Sequence, residues 1–177
     1  MTKRCKITIF SGENGTLGGV YLPIHRYLLE YLTVYGICQP SDLSLKGQAL
    51  FNREQRLRFL VQLSQQLSPE QQAEKLASNE VFGCEARVWV HCEWQRGLLQ
   101  LQINSEARLV KGLLALIQQA LHGANAEQVA AYQLDAHFSL LGLDDYLTVS
   151  RRNGLRAVVA AIQASVRNKV STNEVNP

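Results

Sequence analysis

Four cysteines, four prolines, one methionine and two tryptophans are a sparse allotment for 177 residues. So few cysteines exclude a disulfide-stapled scaffold and point to free thiols in a reducing compartment, so a cytoplasmic location is expected. Long apolar runs are missing as well. The longest, GLLALI at 112–117, falls far short of the roughly 20 residues that cross a bilayer, so no membrane partner is expected. The opening MTKRCKITIF has no apolar core of signal-peptide length before SGENG, so no secretory leader is expected either. A dominant charge sign is absent too. Eighteen basic and fifteen acidic residues leave only +3, and the basic residues are scattered without interleaved aromatics, which argues against nucleic acid as a partner.

What remains is 46% hydrophobic and 19% charged, the composition of a globular chain with one core. Residues 1–50 read as an N-terminal extension whose structure the pattern does not specify: CKITIF alternates like a strand, SGENGTLGG is glycine-dense, and YLPIHRYLLEYLTVYGIC mixes aromatic and aliphatic residues. Residues 51–170 form the expected domain, with 171–177 as a tail. Asn52 with Gln55 is a capping pair ahead of a helix carrying Leu57, Leu60, Val61 and Leu67. Ser68-Pro69-Glu70-Gln71 signals a second, short helix that fades by Ser78 and Asn79. From Ala86 the period becomes two. Val88, Val90, Cys92 and Trp94 share one face, Trp89, His91 and Glu93 the other. QRG at 95–97 turns the chain into a return strand with Leu99, Leu101 and Ile103 inward. Ser105 is expected to cap a long helix with Glu106 in its first turn, ended by Gly123. Asn125 begins another helix, 135–143 holds a short one, and Ser150 is expected to cap the last, with Leu155, Val158, Val159, Ile162 and Val166 on one face. The expected fold is α+β: a small antiparallel sheet, with its hairpin at about 86–103, packed against several helices.

Chemistry concentrates in NEVFGCEARVWVHCEW, 79–94. Cys84, His91 and Cys92 are zinc-ligand types, but strand alternation parts His91 from Cys92 and no Cys-x-x-Cys half-site exists, so no metal is expected. A Cys84–Cys92 disulfide does not suit a reducing compartment, and no resolving cysteine lies two residues from Cys84. Cys92, beside Val90 and Trp94, reads as a small core hydrophobe. Cys84 is either an incidental structural thiol or an accessible one. Gly83 permits a special backbone turn, and Arg87 three residues on offers a charge that would favour a thiolate.

Three blocks then resemble the SufE-type sulfur acceptor family: GCEARVW at 83–89, NSEARLVKGLLALI at 104–117 and LGLDDYLTVSRRNGL at 141–155. They occur in the family's order across roughly residues 52–170, while the family has nothing like residues 1–40. The sequence E-x-R-V-W after the cysteine and SE-x-R at 105–108 look closer to the CsdE branch. The resemblance implies a fold like that of iron–sulfur scaffold proteins, without their three-cysteine ligand set. It implies that Cys84 is the persulfide-forming nucleophile, with Arg87, Glu106 and Arg151 as supporting or partner-contacting residues. The chain would then be a sulfur carrier with no cofactor of its own rather than an enzyme. It would accept sulfur from a pyridoxal-phosphate-dependent cysteine desulfurase, stimulate that enzyme, and deliver to a downstream acceptor for iron–sulfur cluster assembly or related sulfur transfer. Val81 and Phe82 would shelter the persulfide. The competing reading is a protein-interaction module in which Cys84 is incidental.

Overall fold

The computed structural model describes residues 35–50, 52–83 and 86–173. Three antiparallel strands form one sheet in the order β1 (Glu80–Val81), β2 (Val88–Gln95), β3 (Leu98–Ser105). Six α-helices surround it among the described residues: α1 (Pro40–Ala49), α2 (Arg53–Gln66), α3 (Arg108–Leu121), α4 (Ala126–Ala131), α5 (Leu134–Leu140) and α6 (Val149–Asn173). The expected α+β architecture is therefore present.

The β2–β3 hairpin pairs Val88 with Ser105 at one end and Gln95 with Leu98 at the other. Arg96 (φ 50°) and Gly97 (φ 85°) make the two-residue connection, the positive-φ pair whose twist matches the flanking strands. The inner face (Val88, Val90, Leu99, Leu101, Ile103) is buried, and α3 lies against it. Helix α3 is buried on nearly all sides, because α2 closes over its far side. Gly112 makes this possible: an ideal Cβ there would lie 2.1 Å from the carbonyl oxygen of Leu60. Each leucine of that layer contributes about 1.5–3 kcal/mol through apolar burial. Helix α6 packs Leu155, Val158, Val159 and Ile162 into the same core, with Val166 half-buried. Residues ahead of α2 join it too. Tyr35 and Leu43 are buried, and Gly47 of α1 approaches α5 so closely that a Cβ would meet the Leu140 carbonyl oxygen at 2.2 Å.

Local signals and tertiary pairing agree at some helix ends and not at others. The Asn52–Gln55 and Asn125–Gln128 capping boxes both form. Ser68 N–H donates to Gln71 Oε1 at 2.9 Å, yet the helix expected to follow is reduced to two separate 3₁₀ turns, Pro69–Gln71 and Ala77–Asn79. Strand β3 captures the backbone that a helix would have used. Ala73 N–H donates to the Ile103 carbonyl, Asn104 Nδ2 donates to the Ala73 carbonyl, and Gln102 Nε2 donates to that of Glu70. Residues 68–79 thus cross the outer face of the sheet as an irregular segment, and β1, which sequence did not foretell, follows directly. This crossing explains why Trp89, opposite in pleat to Val88, is only 1% exposed. Ser105 is likewise drawn into strand pairing. Its hydroxyl donates to the Arg87 carbonyl at 2.9 Å and accepts from Ala107 N–H at 3.3 Å. Helix α3 therefore starts at Arg108, and Glu106 precedes its N-cap, Ala107, rather than lying in its first turn. At α6, Thr148 Oγ1 accepts from Arg151 N–H at 3.2 Å, so Thr148 caps where Ser150 was expected.

Candidate functional site

Strand β1 pairs Glu80 with Trp89 and Val81 with Val88, so the chain leaving Val81 and the chain entering Val88 run side by side at one end of the sheet. Cys84 and Glu85, between these two limbs, lie outside the described residues. Gly83 holds φ at +111°, a conformation that side chains resist, so glycine is needed for its backbone freedom. Space is available there: a Cβ would come no closer than 3.8 Å, to Ala157 Cβ of α6.

An ion pair joins the two limbs. Arg87 donates through Nε to Glu80 Oε1 and through Nη2 to Glu80 Oε2, each at 2.8 Å, the fork geometry in which arginine and carboxylate bind most strongly. The bond to Arg87 holds the Glu80 carboxyl below its usual range, and Glu80 raises Arg87 in return. Arg87 also places its guanidinium carbon 5.0 Å from the Trp89 ring centroid, within cation–π range. Its carbonyl accepts from Ser105 Oγ and, at 3.4 Å, from Glu106 N–H. The exposed Glu106 carboxylate adds a smaller field that also raises Arg87.

Of the residues singled out in the sequence, the structure therefore brings Arg87 and Glu106 together at the descending limb. Arg151 stands on the first turn of α6, about 9 Å along that helix from Ala157. Glu80 escaped the sequence reading. Its only signal was an opposite charge seven residues before Arg87, flanking Gly-Cys. The apolar pair before the cysteine divides: Val81 packs against the core, whereas Phe82 is 79% exposed.

The second thiol of the motif lies on the inner face. Cys92 is half-buried and pushed up to about 11 by burial, against a smaller lowering by its hydrogen bond with Ser165 of α6. His91 is exposed on the opposite face. Among the described residues no group of three His, Cys, Asp or Glu side chains is placed to hold a metal ion. With its thiolate scarce at neutral pH, Cys92 is expected to resist iodoacetamide at pH 7.5 in the folded chain and to react once urea unfolds it. Peptide mapping of the alkylated protein reads this directly, and rapid labelling of folded Cys92 would contradict it.

No helix of the described residues is long and apolar enough to cross a membrane. A solution structure of a hypothetical protein from Thermus thermophilus shares the fold: TM-score 0.61, 23% identity, 74% of this chain and 94% of that one covered. The family described as "SufE: Fe-S metabolism associated domain" matches residues 42–166, a span that includes both limbs, the Gly112 crossing and most of α6. The chain belongs to the SufE family of Fe–S metabolism associated domains.

Proposed function

We propose that the chain takes sulfane sulfur from a pyridoxal-phosphate-dependent cysteine desulfurase onto Cys84, stimulates that enzyme, and hands the sulfur to a downstream acceptor. Iron–sulfur cluster assembly or a related sulfur transfer is the destination. The observation that carries the reading is the family match across the Gly-Cys limbs, together with the left-handed Gly83 and the Glu80–Arg87 pair beside it. The Cys84 thiolate attacks the outer sulfur of the desulfurase cysteine persulfide. A new S–S bond forms on Cys84, the old one breaks, and the desulfurase cysteine leaves as thiolate, so no external oxidant or reductant enters. The carrier performs no turnover of its own and works in the reducing cytoplasm.

Arg87 acts in this scheme chiefly as a tie between the limbs, since Glu80 compensates its charge. Glu106 and Arg151 serve as partner-contacting residues at the same end. Residues E-x-R-V-W after the cysteine and SE-x-R at 105–108 favour the CsdE branch.

Intact-mass measurement after mixing the chain with a desulfurase, cysteine and pyridoxal phosphate tests the reading. One sulfur atom, about 32 Da, is expected on the wild type, confined to the Cys84 peptide and removed by dithiothreitol. Cys84→Ser is expected to keep its fold and gain no mass. A wild type that stays unmodified would favour an interaction module in which Cys84 is incidental.

A further inference from the structure

Lys75, Arg87 and Lys111 converge at one end of the sheet although they come from three separate segments. Lys75, on the segment crossing the outer face, holds Nζ 5.2 Å from the Trp89 ring centroid, the same ring over which Arg87 lies. Lys111, in the first turn of α3, donates Nζ to Gln72 Oε1 at 2.6 Å, which draws it toward that crossing segment three residues before Lys75. Exposed Arg108 precedes Lys111 by one turn of the same helix face. Burial, and then the nearness of Lys75, lower the proton affinity of Lys111, so the two ammonium groups feel each other.

Internal pairing accounts for only one of these cations. Glu80 neutralises Arg87 and Glu106 adds to its field, whereas neither Lys75 nor Lys111 meets a carboxylate among the described ion pairs. We propose that Lys75 and Lys111 form an interaction surface for a carboxylate-rich segment of a partner protein, docked beside the Arg87 limb. The indole beneath Lys75 and Arg87 is 1% exposed and offers no platform for stacking a base. A protein segment with a few carboxylates fits better than a nucleic acid. The inference rests on the sulfur-acceptor reading, under which the partner is the desulfurase.

The test titrates the full chain with a pyridoxal-phosphate-loaded cysteine desulfurase by calorimetry at about 50 and 300 mM salt, with the Cys84 mass adduct recorded in parallel. Lys75 is exposed, so Lys75→Glu is expected to fold normally while weakening binding about tenfold at low salt and flattening the salt dependence. Lys75→Arg is expected to bind as the wild type does. Lys111→Glu should follow Lys75→Glu in affinity, with folding checked by thermal melting because its ammonium is hydrogen-bonded to Gln72. Wild-type affinity and salt slope in Lys75→Glu would overturn the proposal. So would undiminished desulfurase binding by Lys75→Glu combined with loss of retention on single-stranded RNA. A wild type that neither binds nor gains sulfur would instead bring down the acceptor reading, and the surface with it.

Discussion

Gly112→Ala is expected to destabilise the chain by about 2 kcal/mol, and Gly112→Val by considerably more. Two effects of opposite sign meet at this position. Alanine favours a helix interior over glycine by about 1 kcal/mol. Against that, an added Cβ would lie 2.1 Å from the Leu60 carbonyl oxygen and 2.7 Å from its carbon. Both atoms are backbone of a packed helix, so no rotamer change relieves them. Helices α2 and α3 must separate, and the layer around Leu60, Leu113 and Leu116 loses contact along its length. The clash wins. Urea denaturation followed by circular dichroism should register the loss, with a melting point about 4–8 °C lower for a domain of this size. Gly123→Ala supplies a contrast. No atom lies within 4 Å of a Cβ there, and only the +81° φ opposes the substitution, at a cost of about 1 kcal/mol. Equal stability of Gly112→Ala and the wild type would mean that the two helices part without penalty.

A second large effect concerns pH. His137 is 1% exposed, its Nδ1 lies 2.8 Å from the Tyr132 hydroxyl, and its Nε2 is buried without a hydrogen-bond partner. Burial first, and the Lys46 charge second, lower this imidazole to about 4. The unfolded chain protonates the same group near 6.5, so between about pH 6.5 and 4 the unfolded state binds the extra proton. Stability contributed by neutral His137 is therefore complete above pH 7 and falls as pH drops through that window, by about 3 kcal/mol in all. Denaturant titrations at pH 7.5, 6, 5 and 4.5 should trace the decline. His137→Gln, which can still meet the Tyr132 hydroxyl, should start less stable at pH 7.5 and show a shallower slope. A wild-type profile that stays flat from pH 7 to 5, or an unchanged slope in the variant, would rule this coupling out.

How much was legible beforehand varies with the range of the interaction responsible. The Asn52 and Asn125 caps were readable because donor and acceptor sit three residues apart, and nothing distant competes for them. The inward row of Leu99, Leu101 and Ile103 was readable because a strand's period of two survives any partner. The helix expected after Ser68 was not realised, because Ile103, Gln102 and Asn104 of β3 take over its backbone groups. Ser105 and Glu106 shifted out of the helix for the same reason.

At the site, alternation alone separated the two cysteines' surroundings to the extent of placing Cys92 on the inner face, and three ordered motifs pointed to the family. The glycine in VKGLL looked like a pattern element; its physical cause, a carbonyl of α2 pressed against it, exists only once the helices cross. Glu80 as the partner of Arg87, the burial of Trp89 under residues 68–79, and the bond from Lys111 to Gln72 depend on segments that the chain order keeps apart. By itself the sequence determined which faces turn inward and where some of the helices begin, since each follows from interactions among near neighbours. Tertiary structure decided which charges meet. An ion pair or a cation over a ring depends on positions in space, and those are known only after the sheet has chosen its third strand.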